Sequence, residues 1–300
     1  MADLKSWIQA FRLRTLPLSF SCILLGTFLA LSANAFDWGV LGLSILTTLF
    51  IQILSNLAND YGDGIKGTDG SERIGPERAI QSGAITPKQM KRAIIIFSLL
   101  TFLTGVFLTY WGTRYLPMVY FWGFILVGLL AIWAAIQYTV GKKAYGYYGL
   151  GDLFVFIFFG IIGVYGSYFL HTNTWNPLIL LPASSIGFLC VGVLNLNNMR
   201  DMESDLSAGK MTLAVKLGLP SARIYHGILL LGALVLAFLF VYLQPKSHWQ
   251  WIFMISLGPI LLNLRKVFLI QDPRAFDPLL KQLALSTLLF AVSFGLGQTI

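Results

Sequence analysis

Two short stretches of this sequence place carboxylates and amides where they could share work. In Asn56-Leu57-Ala58-Asn59-Asp60-Tyr61-Gly62-Asp63, the residues Asn56, Asn59, Asp60 and Asp63 stand at i, i+3, i+4 and i+7, one face of a helix. In Asn195 to Asp205, the residues Asn197, Asp201 and Asp205 stand at i, i+4 and i+8, with Asn198 beside them. Like charges at such spacings repel unless something cationic lies between them. Magnesium suits the need, because it takes a few carboxylates and completes its shell with phosphate oxygens. Two such segments facing each other could hold ions that bridge a diphosphate. Lys66, Arg73, Arg78, Lys142 and Arg200 would neutralise its remaining charge, and Lys210 in the turn Gly209 to Leu213 adds another cation. Asp60, Asp63, Asp201 and Asp205 are therefore the expected metal ligands, with Asn56, Asn59 and Asn198 beside the substrate. Gly62, Gly64 and Gly67 are expected to let the chain leave the helix and bend around a ligand. A single aspartate of this kind would read as a solvated helix end; two matching segments do not.

The elements that must position these residues are membrane helices. Hydrophobic residues make up 56% of the 300 and charged residues 11%, against about 25% charged in a soluble domain. A bilayer core needs about 20 apolar residues in a helix. Stretches of about that size run over Leu16 to Leu31, Val40 to Leu54, Ala93 to Thr113, Pro117 to Tyr138 and Leu153 to Leu170. Others cover Pro177 to Leu196, Tyr225 to Leu243, Trp249 to Leu264 and Leu283 to the C-terminus. The expected fold is all-α: one polytopic bundle of about nine transmembrane helices spanning residues 1–300, with the N-terminus in the cytoplasm. Lys5, Arg12, Arg14 and the Ala33-Asn34-Ala35 triplet imitate a signal peptide, but the long leading segment reads as the first membrane helix.

Alternating the helices puts all but Arg114 and Lys246 of the 21 lysines and arginines on the cytoplasmic side. The net charge of +8 thus reflects orientation in the bilayer and calls for no nucleic-acid partner. Of 13 carboxylates only Asp37 falls outside. The connections after helices two, four, six and eight are expected to be long, and both signs of charge gathered there point to a cytoplasmic site. Cys22 and Cys190 lie within apolar stretches as packing residues, and the three histidines are too scattered for a metal site.

The motifs resemble the UbiA superfamily of intramembrane prenyltransferases, and within it the 1,4-dihydroxy-2-naphthoate polyprenyltransferase branch. The resemblance rests on Arg14-Thr15-Leu16-Pro17, Asn59-Asp60-Tyr61-Gly62-Asp63 with Lys66-Gly67-Thr68-Asp69, Gln81-Ser82-Gly83 and Tyr138-Thr139-Val140-Gly141. It continues through Gly146 to Asp152 and Asn198-Met199-Arg200-Asp201 to Gly209-Lys210, covering Arg14 to about Gly218. Gly67 stands where many members carry a further aspartate, with Asp69 as its substitute. The resemblance implies transfer of a polyprenyl group from polyprenyl diphosphate to 1,4-dihydroxy-2-naphthoate with decarboxylation, with Mg2+ held by the four aspartates. It also implies a π-face on the allylic cation from Tyr138, a carboxylate partner in Arg12 or Arg14, and residence in a bacterial inner membrane with the site facing the cytoplasm. Two rival readings are a neighbouring enzyme using 4-hydroxybenzoate or another ring, and a transporter. Polar clusters confined to one membrane face weigh against the latter.

Overall fold

A computed structural model describes residues 3–68, 74–75 and 77–300. Among these the regular structure is helical, and nine helices are long and apolar enough to cross a membrane, at the places the hydropathy pattern predicts. The chain opens with α1 (Leu4–Phe11), a short helix that lays Trp7 and Phe11 on the bundle and leaves Leu4 and Ile8 exposed. It is followed by α2 (Leu16–Leu31), α3 (Trp38–Lys66), α4 (Pro87–Thr113) and α5 (Met118–Gln137). The fifth crossing joins α6 (Gly151–Val155), a π-helical stretch (Phe156–Gly166) and α7 (Ser167–Thr172). Then come α8 (Leu180–Arg200), the one-turn α9 (Met202–Ser207), α10 (Leu213–Leu243), α11 (Leu257–Leu269) and α12 (Phe276–Thr299).

Local chemistry explains the boundaries. Asp37 caps α3 by accepting the Gly39 and Val40 N–H groups, and Thr86 and Gln89 form a reciprocal capping box ahead of α4. Gly67, at φ 74°, ends α3 in the left-handed conformation that glycine adopts without penalty. Helix α3 therefore runs 12 residues past the apolar stretch that ends at Leu54, carrying Asn56 to Asp63 on its last turns. Gly62 and Gly64 lie inside this helix instead of opening it, which corrects the expectation that they bend the chain. The connection after the eighth crossing is also short, because α11 and the turn leading into α12 extend beyond their apolar runs.

The core centres on α8, whose buried residues meet α2, the π-helical stretch, α10 and α12. Gly160 and Gly187 let two helices touch backbone to backbone: a Cβ at Gly160 would lie 2.7 Å from the Gly187 Cα. Gly163 packs similarly on Cys22, whereas Gly166 faces open space bounded by Phe124. A smaller core joins α1, α3 and α4 through Ala10, Leu54, Leu57 and Ile94. Between the two cores lies a cavity of about 610 Å³.

Candidate active site

The end of α3 and the α8–α9 junction meet at one end of the bundle, as the two aspartate motifs require. Lys210 joins them physically, its Nζ lying 3.3 Å from Asp205 Oδ1 and 3.8 Å from Asp63 Oδ2. Arg78 Nη1 stands 3.1 Å from the same Asp63 oxygen. The other Asp63 oxygen accepts the Tyr147 hydroxyl at 2.8 Å. Asp63, Thr68, Arg78, Asp201, Ser204, Asp205 and Lys210 line a small cleft of about 10 Å³, the room a single small ion or water occupies.

Within this cluster the four aspartates are not equivalent. Asp60 is 1% exposed, and its two oxygens accept the N–H groups of Ala79 (3.0 Å) and Ile80 (3.2 Å). It holds down the segment that carries Arg78, whose guanidinium also donates to the Asn59 backbone and side-chain oxygens. Asp201 has both oxygens on Arg200, at 2.8 and 2.7 Å. Arg200 reaches onward to Asp277 Oδ1 (2.6 Å) and Asn197 Oδ1 (2.9 Å). Asp63 and Asp205 both face Lys210, and among the described residues Asp205 Oδ2 is buried with no hydrogen-bond partner. Burial pushes the Asp205 carboxyl up to about 6, with Asp201 and Asp63 adding to the rise and Lys210 opposing it. Burial works against the Lys210 charge, yet Asp63 and Asp205 outweigh it and hold that ammonium above its ordinary range.

Other expected residues are placed plainly by the structure. Tyr138 sits at the end of α5 on the cavity wall, its ring 5.5 Å from Tyr145 in an edge arrangement, and Tyr145 stacks on Phe154 at 3.9 Å. Lys66 covers the Tyr147 ring at 3.8 Å and thereby borders the cluster. Arg14 lines the cavity mouth. Asn56 turns away from the cleft and donates to the Phe11 carbonyl (2.9 Å) and Thr15 Oγ1 (3.2 Å), fixing the α1–α2 link. Asn198 is buried and lines neither the cavity nor the cleft, and Lys142 is exposed on the α5–α6 connection away from both. Arg73 and Asp69 lie outside the described residues. The spacing argument missed Tyr147, Thr68 and Asp277. Tyr147 stood in the tyrosine- and glycine-rich stretch after α5, but its partner Asp63 is 84 residues distant and no local period reveals it.

The cavity shares Arg78 and Lys210 with the cleft and runs from there into apolar surroundings that include Phe102, Phe124, Phe158 and Leu170. A buried ionic site thus opens onto a long apolar chamber inside a membrane-crossing bundle. That combination defines a protein acting on molecules with a charged head and a hydrocarbon tail. The chain belongs to the UbiA prenyltransferase family, whose sequence profile matches residues 19–296. It is 44% identical to the 1,4-dihydroxy-2-naphthoate octaprenyltransferase of Escherichia coli (strain K12) over 98% of this chain and 94% of that protein. The Haemophilus influenzae protein of the same name is 43% identical over 99% and 96% of the two chains. The fold is shared with an apo UbiA homolog from Aeropyrum pernix K1, at TM-score 0.67 and 15% identity, covering 93% of this chain and 96% of that one. It is also shared with a UbiA homolog from Archaeoglobus fulgidus bound to GPP and Mg2+, at TM-score 0.66 and 16% identity, covering 97% and 99%.

Proposed function

We propose that this protein transfers a polyprenyl group from polyprenyl diphosphate to 1,4-dihydroxy-2-naphthoate with loss of carbon dioxide. It does so as one unit spanning residues 1–300 of the inner membrane of a bacterium, with the site on the cytoplasmic side. The observation that carries this reading is the carboxylate-lined cleft of Asp63, Asp201 and Asp205 opening through Arg78 and Lys210 onto the apolar cavity. The names of relatives 43–44% identical along nearly the whole chain support the choice of acceptor.

The residues fit a magnesium ion that arrives with a diphosphate. Among the described residues no three or more carboxylates, histidines or cysteines are grouped tightly enough to hold a metal alone. An Asp205 oxygen that is buried and unpartnered among the described residues, and an Asp63 faced by cations, are the donors an incoming ion would find. Asp63 and Asp205 would hold it, with Asp201 joining as Arg200 shifts onto Asp277 and Asp60 keeping Arg78 in place. Bound there, the metal supplies charge neutralisation to the leaving diphosphate. Arg78, Lys210 and Lys66 add to that neutralisation and make the diphosphate a better leaving group. The allylic C–O bond breaks with its electron pair on the diphosphate. Tyr138 and Tyr145 present neutral π-faces to the developing cation, and the apolar walls exclude water that would quench it. The ring carbon bearing the carboxylate forms the new C–C bond, and the bond to carbon dioxide then breaks. Keeping the tail in the bilayer retains about 0.8 kcal/mol for each CH₂-sized group.

A test of the whole reading offers purified, detergent-solubilised protein a polyprenyl diphosphate with 1,4-dihydroxy-2-naphthoate or 4-hydroxybenzoate, with and without magnesium. Magnesium-dependent product from the naphthoate alone is expected; product from the benzoate alone moves the enzyme to the neighbouring branch, and none from either removes the reading. A pH prediction follows from Asp205. The metal binds its ionised form, and the folded-state pKa is raised to about 6, so protons compete as pH falls through that value. The magnesium concentration for half-maximal rate is expected to be flat above pH 7. Below pH 6 it should rise about tenfold per unit; a flat profile down to pH 5 removes Asp205 from the ligand set.

A further inference from the structure

Asp63 divides its two oxygens between different neighbours. Oδ2 faces Arg78 at 3.1 Å and Lys210 at 3.8 Å, on the cleft side. Oδ1 accepts the Tyr147 hydroxyl at 2.8 Å. Ionised beside those cations, the carboxylate can only accept, so the phenol proton points at Asp63. That leaves the Tyr147 oxygen as an acceptor, and the Thr68 hydroxyl lies 2.5 Å from it. Thr68 is therefore the donor, and the line runs from Thr68 through Tyr147 to Asp63. It closes on itself, because the Thr68 N–H donates to the Asp63 backbone carbonyl at 3.0 Å. Gly67, at φ 74°, is the residue that turns the chain back to allow this.

Tyr147 is held from the second aspartate segment as well. Its backbone carbonyl accepts the Met211 N–H at 3.1 Å, one residue past Lys210. The 3₁₀ turn Tyr145–Tyr148 is closed by Gly149 at φ 78°, which sets the direction of the phenol. Lys66 Nζ lies 3.8 Å from the ring centroid and Lys210 Nζ 5.8 Å, both within cation–π range. One side chain thus gathers the end of α3 and the turn before α10, with its hydroxyl on an aspartate. Tyr147 lines neither the cavity nor the cleft, so whatever it does there it does through Asp63.

We propose that Tyr147, backed by Thr68, is the positioning residue that fixes the Asp63 carboxylate for magnesium and the diphosphate. Holding Oδ1 stops the carboxylate from rotating and keeps Oδ2 aimed at the cleft. A hydrogen bond to an ionised carboxylate is roughly twice as strong as a neutral one. Partners of this kind behind a metal ligand are worth about 10- to 100-fold in metal affinity. The proposal rests on the magnesium-dependent prenyltransferase reading, and adds to it a part supplied by the α5–α6 connection.

The test uses the solubilised full chain and two readouts. One is the magnesium concentration giving half-maximal transfer. The other is calorimetric affinity for farnesyl thiodiphosphate, an unreactive donor analogue, at a series of fixed magnesium concentrations. Tyr147→Phe keeps the ring, its lysine contacts and the backbone, and loses only the hydroxyl. It is expected to raise the magnesium requirement about 10- to 100-fold in both readouts. Saturating magnesium should restore its rate, with the acceptor KM within about twofold of wild type. Thr68→Val, which keeps the shape at the turn, should shift the requirement the same way by about threefold. Because Thr68 acts through the phenol, the double variant should be no worse than Tyr147→Phe alone. Tyr148→Phe, at a neighbour 55% exposed, is the control and should change nothing. An unchanged magnesium requirement in folded Tyr147→Phe protein, or a lost rate that no magnesium restores, overturns the positioning role. A double variant whose shift is the product of the two single shifts overturns the line through Thr68. Wild-type protein that shows no magnesium dependence in either readout removes the underlying reading instead, so the two failures are distinguishable.

Discussion

Asp63→Asn is expected to lower prenyl transfer by about 10²- to 10³-fold, corresponding to about 3–4 kcal/mol of lost transition-state stabilisation. The amide keeps the shape of the side chain and can still accept the Tyr147 hydroxyl at one oxygen. What it loses is the negative charge that faces Arg78 and Lys210 and that an incoming cation would use. Breaking a fully buried pair by removing one partner costs about 3–5 kcal/mol of stability. Here each cation retains a second oxygen partner, Asn59 for Arg78 and Asp205 for Lys210, so the folding loss should be smaller. The comparison with Asp60→Asn separates ligand from anchor. Asp60 already spends both oxygens on the Ala79 and Ile80 amides, so its amide variant should loosen Arg78 without changing the magnesium requirement. Activity and magnesium dependence measured beside thermal unfolding in detergent decide it. A folded Asp63→Asn protein retaining a tenth or more of wild-type activity removes Asp63 from the chemistry.

How much of this was legible in the residues depends on the range of the interaction. Nine crossings follow from apolar length alone, because a bilayer leaves the backbone no alternative to the helix. The shared face of Asn59 and Asp63 on α3, and of Asn197, Asp201 and Asp205 at the α8–α9 junction, follows from helical period, and both faces do reach one cleft or its adjoining cavity. Period fails where the partner is remote. Nothing near Asn56 announces that it will bind the Phe11 carbonyl, and nothing near Asp60 announces two amides about 20 residues onward. The equal weight given to four aspartates therefore gave way to a division of labour. Two anchor a loop or an arginine, and two remain against cations. Gly62 shows the same limit from another side. Read locally, a glycine between aspartates opens a helix; in the folded chain it is the spot where another backbone arrives.

That arrival makes Gly62→Ala the second variant with a large expected effect. A Cβ at Gly62 would lie 2.6 Å from the Thr139 carbonyl carbon, 2.7 Å from its oxygen and 2.5 Å from its Oγ1. Backbone atoms cannot rotate aside as a long side chain can, and Thr139 is further tied by its hydroxyl to the Ala58 carbonyl at 3.0 Å. The methyl group must push α3 and the α5–α6 connection apart. That connection carries Tyr138, Tyr145 and Tyr147, so Asp63 loses register with Tyr147 and the cavity wall shifts relative to the cleft. Overpacking of this kind costs about 1–3 kcal/mol of stability, and displacement by a fraction of an ångström to 1 Å reduces catalysis by up to about 10²-fold. Gly258→Ala is the matched control, because a Cβ there meets nothing within 4 Å inside α11. It should gain about 0.5–1 kcal/mol from helix propensity and leave transfer unchanged. If Gly62→Ala unfolds at the wild-type temperature and transfers at the wild-type rate, the close approach of Thr139 is not what aligns the tyrosines with the aspartates. A loss confined to Gly62→Ala ties the positioning of the site to the contact between these two backbones.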